Sequence, residues 1–134
     1  MNVLLDTHVL LWWKAGGSKL SRAATRTLAG AERLHVSPIV FWEVATLVVK
    51  GRVELDRDVF EWVADVLGDE QIESAPLSPR AAANAALLGT RGFVGDPADR
   101  LIYATAAELV LPLVSKDGRI RSFAERHKDV RVIW

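Results

Sequence analysis

Val3-Leu4-Leu5-Asp6-Thr7-His8 opens the chain with an apolar run of β type that stops at a carboxylate and passes into a polar turn. Residues 2–5 read as a strand, and Thr7 to about Lys14 as a turn leading into a short helix. Comparable junctions recur. Leu34-His35-Val36-Ser37 is strand-like and meets Pro38, the start of a helix over Ile39 to Lys50 that carries Glu43. Asp96-Pro97 begins a helix to about Leu109, and Leu113-Val114-Ser115 is a short strand that ends at Asp117-Gly118. In an open α/β sheet, ligands bind in the crevice beyond the carboxyl ends of the strands. Acids delivered to that edge from distant parts of one chain can converge there.

The remaining segments fit the same alternation. Gly16-Gly17 breaks the chain, and Ser21 caps a helix to about Ala31, with Leu20 as a staple residue ahead of it. Gly51 closes the Ile39–Lys50 helix. Asp56 or Asp58 opens a helix through Leu67, whose Val59, Trp62, Val63 and Val66 share one stripe. Ile72 to Leu77 is extended, and Ser78-Pro79 starts a helix to about Leu88. Gly89 to Gly95 is a loop, Arg119 to Glu125 a short helix, and Val130 to Trp134 a closing strand. Short strands alternating with helices predict a parallel sheet covered on both faces. At 134 residues, without repeat or linker, a single domain over 1–134 is expected.

With 50% hydrophobic and 25% charged residues the composition is that of a compact folded protein. No cysteine is present, which excludes disulfides, thiolate metal sites and cysteine nucleophiles. No signal-peptide pattern and no stretch of about 18 apolar residues is found, so a cytoplasmic protein without membrane span is expected. Lys plus Arg and Asp plus Glu are equal at 17 each, which argues against indiscriminate coating of nucleic acid. It leaves a nuclease open, because acidic ligands cancel basic groups in the sum. The late cluster Lys116, Arg119, Arg121, Arg126, His127 and Lys128 reads mainly as a solvated face, from which a few groups can hold a phosphate backbone.

Each acid has a structural and a chemical reading. Asp6, Asp96 and Asp117 all suit helix caps or turns, and Asp99 at N3 suits the positive end of a helix dipole. Glu43 is the only ionisable group between Pro38 and Lys50, and it shares a helical face with Ile39, Val40 and Leu47. There an unpaired carboxylate costs several kcal/mol or becomes neutral. Taken together, Asp6, Glu43, Asp99 and Asp117 are expected to ligate a hard divalent ion, Mg²⁺ or Mn²⁺, with Asp96 the alternative third ligand. Thr7 and Ser37, at strand ends, are expected to support that site, and Arg100, Lys116 and Arg119 to contact substrate. His8 is expected to have a structural or substrate-side role. Trp12, Trp13, Trp42, Trp62 and Trp134 have the chemistry to stack bases, as in single-strand binders, but at these helical spacings most read as core or dimer-interface residues.

Three blocks, in this order and spacing, resemble the PIN-domain toxins of the VapC type. The first is Val3-Leu4-Leu5-Asp6-Thr7-His8. The second is Val36-Ser37 with Phe41-Trp42-Glu43-Val44-Ala45 and Lys50-Gly51-Arg52-Val53. The third is Asp96-Pro97-Ala98-Asp99-Arg100-Leu101-Ile102-Tyr103-Ala104-Thr105-Ala106 with Leu113-Val114-Ser115-Lys116-Asp117. The resemblance implies a three-layer α/β/α fold with a short parallel sheet. It also implies a Mg²⁺- or Mn²⁺-dependent endoribonuclease, a homodimer and a partner antitoxin, and it matches Asp6, Glu43, Asp99 and Asp117 to the family's acidic quartet. Ala98 departs from the larger apolar residue common there. One rival is an Mg²⁺-dependent aspartate phosphatase or phospho-acceptor domain, but the second acid such chemistry needs two residues after Asp6 is replaced by His8. A non-catalytic binding module is the other, and the intact set of acids disfavours it.

Overall fold

A computed structural model describes residues 1–134. The strands are β1 (Asn2–Leu5), β2 (Arg33–Val36), β3 (Ile72–Ser74), β4 (Leu113–Val114) and β5 (Val132–Ile133). They form one sheet in the order β3-β2-β1-β4-β5, and every neighbouring pair is parallel. Parallel neighbours need a crossover, and helices supply each one. These are α1 (Thr7–Lys14) and α2 (Arg22–Gly30), then α3 (Pro38–Val49) and α4 (Val59–Leu67), then α5 (Pro79–Leu88) and α6 (Pro97–Leu109), and last α7 (Gly118–His127). Val3, Leu4 and Leu5 are all 0% exposed although successive strand side chains point to opposite faces. Helices therefore cover both faces of the sheet, giving the expected α/β/α layering.

The core is one cluster running from Val3 to Val130. Trp62 and Val66 bring α4 into it, as the stripe on that helix predicts. Phe93, Tyr103 and Phe123 meet edge to face, with centroids 4.9–5.4 Å apart, and bind the 89–95 loop to α6 and α7.

Every α-helix begins at a serine or aspartate whose side chain accepts from a backbone N–H of the first turn: Asp6, Ser21, Ser37, Asp58, Ser78, Asp96 and Asp117. Asp58, not Asp56, opens α4. The last helix extends beyond the expected Arg119–Glu125, and the closing strand keeps only Val132–Ile133 of the expected Val130–Trp134. The 89–95 loop contains a 3₁₀ turn at Gly89–Arg91.

The strand order decides where a site can form. From β1 the chain builds outward to β2 and β3, then returns to lay β4 on the other side of β1 and β5 beyond it. The crevice between the carboxyl ends of β1 and β4 is the topological switch point of such a sheet. Asp6 follows β1 there, while Ser115 and Asp117 follow β4.

Candidate metal centre

A cleft of about 940 Å³ opens at this edge. Asp6, Glu43, Asp96, Asp99 and Asp117 line it together with Lys116, Arg119 and Arg126 and with His8 and Trp12. The caps explain the convergence. Asp6, Asp96 and Asp117 each precede a helix whose N-terminus abuts the cleft, so one carboxylate both satisfies backbone N–H groups and faces the ligand space.

Asp6 is 6% exposed and tightly held: Oδ1 accepts from Thr7 N at 2.7 Å, and Oδ2 accepts from Ser115 Oγ at 2.6 Å. The same Ser115 oxygen accepts from Asp117 N at 3.1 Å, so one buried hydroxyl links the ends of β1 and β4. Asp117 Oδ1 accepts from Arg119 N at 2.8 Å and lies 3.9 Å from Arg119 Nε. Asp96 Oδ1 accepts from Asp99 N at 3.0 Å, and this fixes the first turn of α6. Thr7, fully buried, donates its hydroxyl to Glu43 Oε1, which ties α3 to the turn after β1.

The electrostatics of this group are unbalanced. Oxygens of Glu43, Asp96 and Asp99 lie within 4.8 Å of one another. None of these three, nor Asp6, forms an ion pair; of the cleft carboxylates only Asp117 has one. Burial, then the charges of Asp6, Asp96, Asp117 and Glu43, push the Asp99 carboxyl up to about 8. Burial raises Glu43 too, against the hydrogen bond from Thr7, and raises Asp6 against those from Ser115 and Thr7. Carboxylates held together without a cation are the situation a divalent ion relieves. The donor set is all oxygen, part buried and part open, which fits a hard cation of the Mg²⁺ or Mn²⁺ class.

The sequence matches the PIN domain family over residues 3–126. The chain belongs to the PIN-domain family. Over 132 residues it is 41% identical to Ribonuclease VapC22 of Mycobacterium tuberculosis (strain ATCC 25618 / H37Rv), covering 98% of both chains. Its fold also resembles solved structures of lower identity. One is VapBC2 from Rickettsia felis bound to a DNA fragment from their promoter, with TM-score 0.66 and 16% identity over 98% of this chain and 97% of that one. Another is DNA-bound VapBC from Salmonella typhimurium, with TM-score 0.64 and 23% identity over 98% and 96%.

In this PIN-domain chain the expected carboxylates all reach the cleft, and Asp96 and Asp99 do so together. Asp96 supplies the cap while Asp99, 8% exposed, carries the perturbed carboxyl. Glu43 is half-buried, not on the buried line of α3, which runs through Val40 and Val44. Thr7, expected as a supporting residue, hydrogen-bonds Glu43. Ser37 does not line the cleft: it is buried and accepts from Ile39 N at 3.3 Å as the cap of α3. The serine that hydrogen-bonds a cleft carboxylate is Ser115, which sequence reasoning passed over. Lys116 and Arg119 lie on the cleft wall. Arg100 does not; its Nη1 faces the Gly95 carbonyl at 3.5 Å and braces the 89–95 loop. His8 and Trp12 line the cleft, while Trp42 is 60% exposed and Trp62 belongs to the core.

Proposed function

We propose that this protein is a divalent-metal-dependent endoribonuclease, the toxin component of a toxin–antitoxin pair. The observation that carries the reading is the unpaired carboxylate group at the switch point, in a chain 41% identical over nearly its whole length to a relative named as a ribonuclease. Asp6, Glu43, Asp99 and Asp117 would hold one or two ions, with Asp96 the alternative third ligand. A bound Mg²⁺ or Mn²⁺ supplies charge neutralisation, a more acidic water and stabilisation of charge developing on a phosphodiester.

The chain's own residues do the rest. Ser115 and Thr7 fix the two oxygens of Asp6, and the Thr7 hydroxyl orients Glu43. Lys116, Arg119 and Arg126 place positive charge in the same cleft as the acids, where it would attract the phosphates of a polyanion. No serine or threonine of the cleft sits beside a basic partner that would make it a nucleophile, so hydrolysis by water is the chemistry these groups serve.

The solved structural neighbours include a toxin–antitoxin complex from Klebsiella pneumoniae, and our reading here is a homodimer held in check by a small antitoxin. Trp42, Val49 and Phe60, 60–87% exposed, provide apolar surface for such contacts. No helix is long and apolar enough to cross a membrane, and the reading places the protein in the cytoplasm with its RNA. The test is cleavage of total RNA by purified protein in Mg²⁺, Mn²⁺ or EDTA, beside Asp6→Asn. Metal-dependent cutting absent from the variant is expected. Cutting that survives in EDTA or in the variant would overturn the assignment.

A further inference from the structure

The cleft holds an aromatic group that the metal chemistry does not use. Trp12, on α1, is half-buried on the cleft wall instead of packed into the core. His8 and Trp134 flank it with ring centroids 5.7 and 5.8 Å away, tilted by 48° and 53°, so neither ring covers an indole face in parallel. They brace the indole's orientation. What lies over its face is the ammonium of Lys116, 5.7 Å from the ring centroid, on an exposed and flexible side chain. Trp12 thus lines the same cleft as the carboxylates and the Lys116, Arg119 and Arg126 cations, and the cleft is roomy enough for a nucleotide and its flanking phosphates.

We infer that Trp12 is the base-stacking platform of the cleft, and that Lys116 covers it until an RNA base arrives and then moves to an adjacent phosphate. This rests on the ribonuclease reading. A cation over an aromatic ring at a solvent-exposed site is held more weakly than a stacked base, so a base displaces Lys116 without a large penalty. The freed ammonium finds a stronger partner in the phosphate that the base brings with it. Stacking on an indole requires a base outside its helix, so the cleft takes an unpaired nucleotide and rejects a continuous duplex.

The experiment combines binding and cleavage on wild type, Trp12→Phe, Trp12→Leu and Lys116→Met, with circular dichroism as a check of folding. Binding is read by anisotropy of a labelled, unstructured RNA, and cleavage on whichever RNA the wild type cuts, with abasic nucleotides placed singly around the scissile bond. Trp12→Leu is expected to weaken binding and raise KM about 10-fold, with kcat near wild type and Trp12→Phe close to wild type. One abasic position is expected to cost wild type a similar factor and Trp12→Leu nothing further. Lys116→Met is expected to reduce the salt dependence of binding by about one phosphate contact.

Equal binding by Trp12→Leu and wild type, or abasic penalties unchanged in Trp12→Leu, would overturn the platform. If Trp12→Leu does not fold, a wild-type abasic scan without any sensitive position overturns it as well. Trp12-dependent binding without cleavage in any metal would instead sink the ribonuclease reading alone.

Discussion

Metal-free protein is expected to lose stability as the pH rises from about 5 to about 8, and Asp99→Asn to lose much less. The Asp99 carboxyl moves from a usual value of 3.8 to about 8 in the folded chain. Between those values the native state keeps a proton that the unfolded state has released. Unfolding therefore gives up a proton, and stability falls with pH by at most about 1.4 kcal/mol per unit for one group, levelling above about pH 8. Burial of the carboxyl is the largest cause of the penalty, and repulsion from the neighbouring carboxylates adds to it. Two ionised carboxylates 4.8 Å apart, the limit within which Glu43, Asp96 and Asp99 oxygens lie, oppose one another by about 3–4 kcal/mol at an effective dielectric near 20 and about 1 kcal/mol in bulk water. Asp96 is exposed and Glu43 only half-buried, so the lower end applies to them, and the slope is an upper bound. For a chain of this size 1 kcal/mol moves Tm by about 3–4 °C, so a fall of a few degrees per pH unit is expected. Thermal unfolding by circular dichroism in EDTA measures it directly. Saturating Mg²⁺ is expected to reverse the trend in wild type, because binding displaces the proton, and to do little for Asp99→Asn. Superimposable profiles of wild type and Asp99→Asn in EDTA would refute the reasoning.

Three further expectations follow from contacts around the carboxylates. Ser115→Ala removes the donor to Asp6 and the acceptor for Asp117 N; ribonuclease activity is expected to fall about 10- to 100-fold with the far-ultraviolet spectrum unchanged. Thr7→Val keeps the shape but not the hydroxyl that holds Glu43, and calorimetric titration is expected to show Mn²⁺ binding weakened about 10-fold. A Cβ at Gly95 would meet Phe93 Cε1 at 2.5 Å and Asp99 Cβ and Oδ2 at 3.3 Å, and Phe93 is locked by Tyr103 and Phe123. Gly95→Ala is therefore expected to cost about 1–3 kcal/mol in denaturant unfolding and to displace Asp99.

What could be read in advance, and what could not, separates along physical lines. The parallel α/β fold was legible because each helix start carries its cap in plain sight, as in Ser21, Ser78-Pro79 and Asp96-Pro97. The carboxylates were legible one at a time, with capping and ligation posed as alternatives. Both readings point to one place: an aspartate that caps the helix after β1 or β4 stands at the carboxyl edge of the sheet, where the cleft lies. The two strand-end serines show where reading fails. Ser37 is followed at once by Pro38 and α3, so its hydroxyl goes to the cap. Ser115 is followed by Lys116 and Asp117, which takes the cap of α7 and leaves the serine hydroxyl to reach Asp6. Spacing to the next helix distinguishes them, a signal available in the sequence. Trp12 was legible only as one of five tryptophans able to stack bases, because Lys116 and Trp134, which define its surroundings, meet it only through the strand order.

The carboxylates also divide into two kinds, and the division decides which substitutions are informative. Asp6, Asp96 and Asp117 accept from backbone N–H groups at the positive ends of helices, which fixes their positions and offsets part of their charge. Glu43 and Asp99 cap nothing. Their geometry comes from Thr7 and from the first turn of α6, and the strongest rise in pKa falls on Asp99. Alanine at a capping aspartate removes a helix cap together with a charge, so loss of activity there cannot be assigned to either. Asp6 also accepts from Ser115 Oγ, a role an amide nitrogen cannot take, but asparagine caps about as well as aspartate, so Asp96→Asn and Asp117→Asn remove charge while keeping the cap. Activity lost in these variants with unchanged helix content therefore reports on the ion, and relief of the mutual repulsion is expected to leave the metal-free variants at least as stable as wild type above about pH 8.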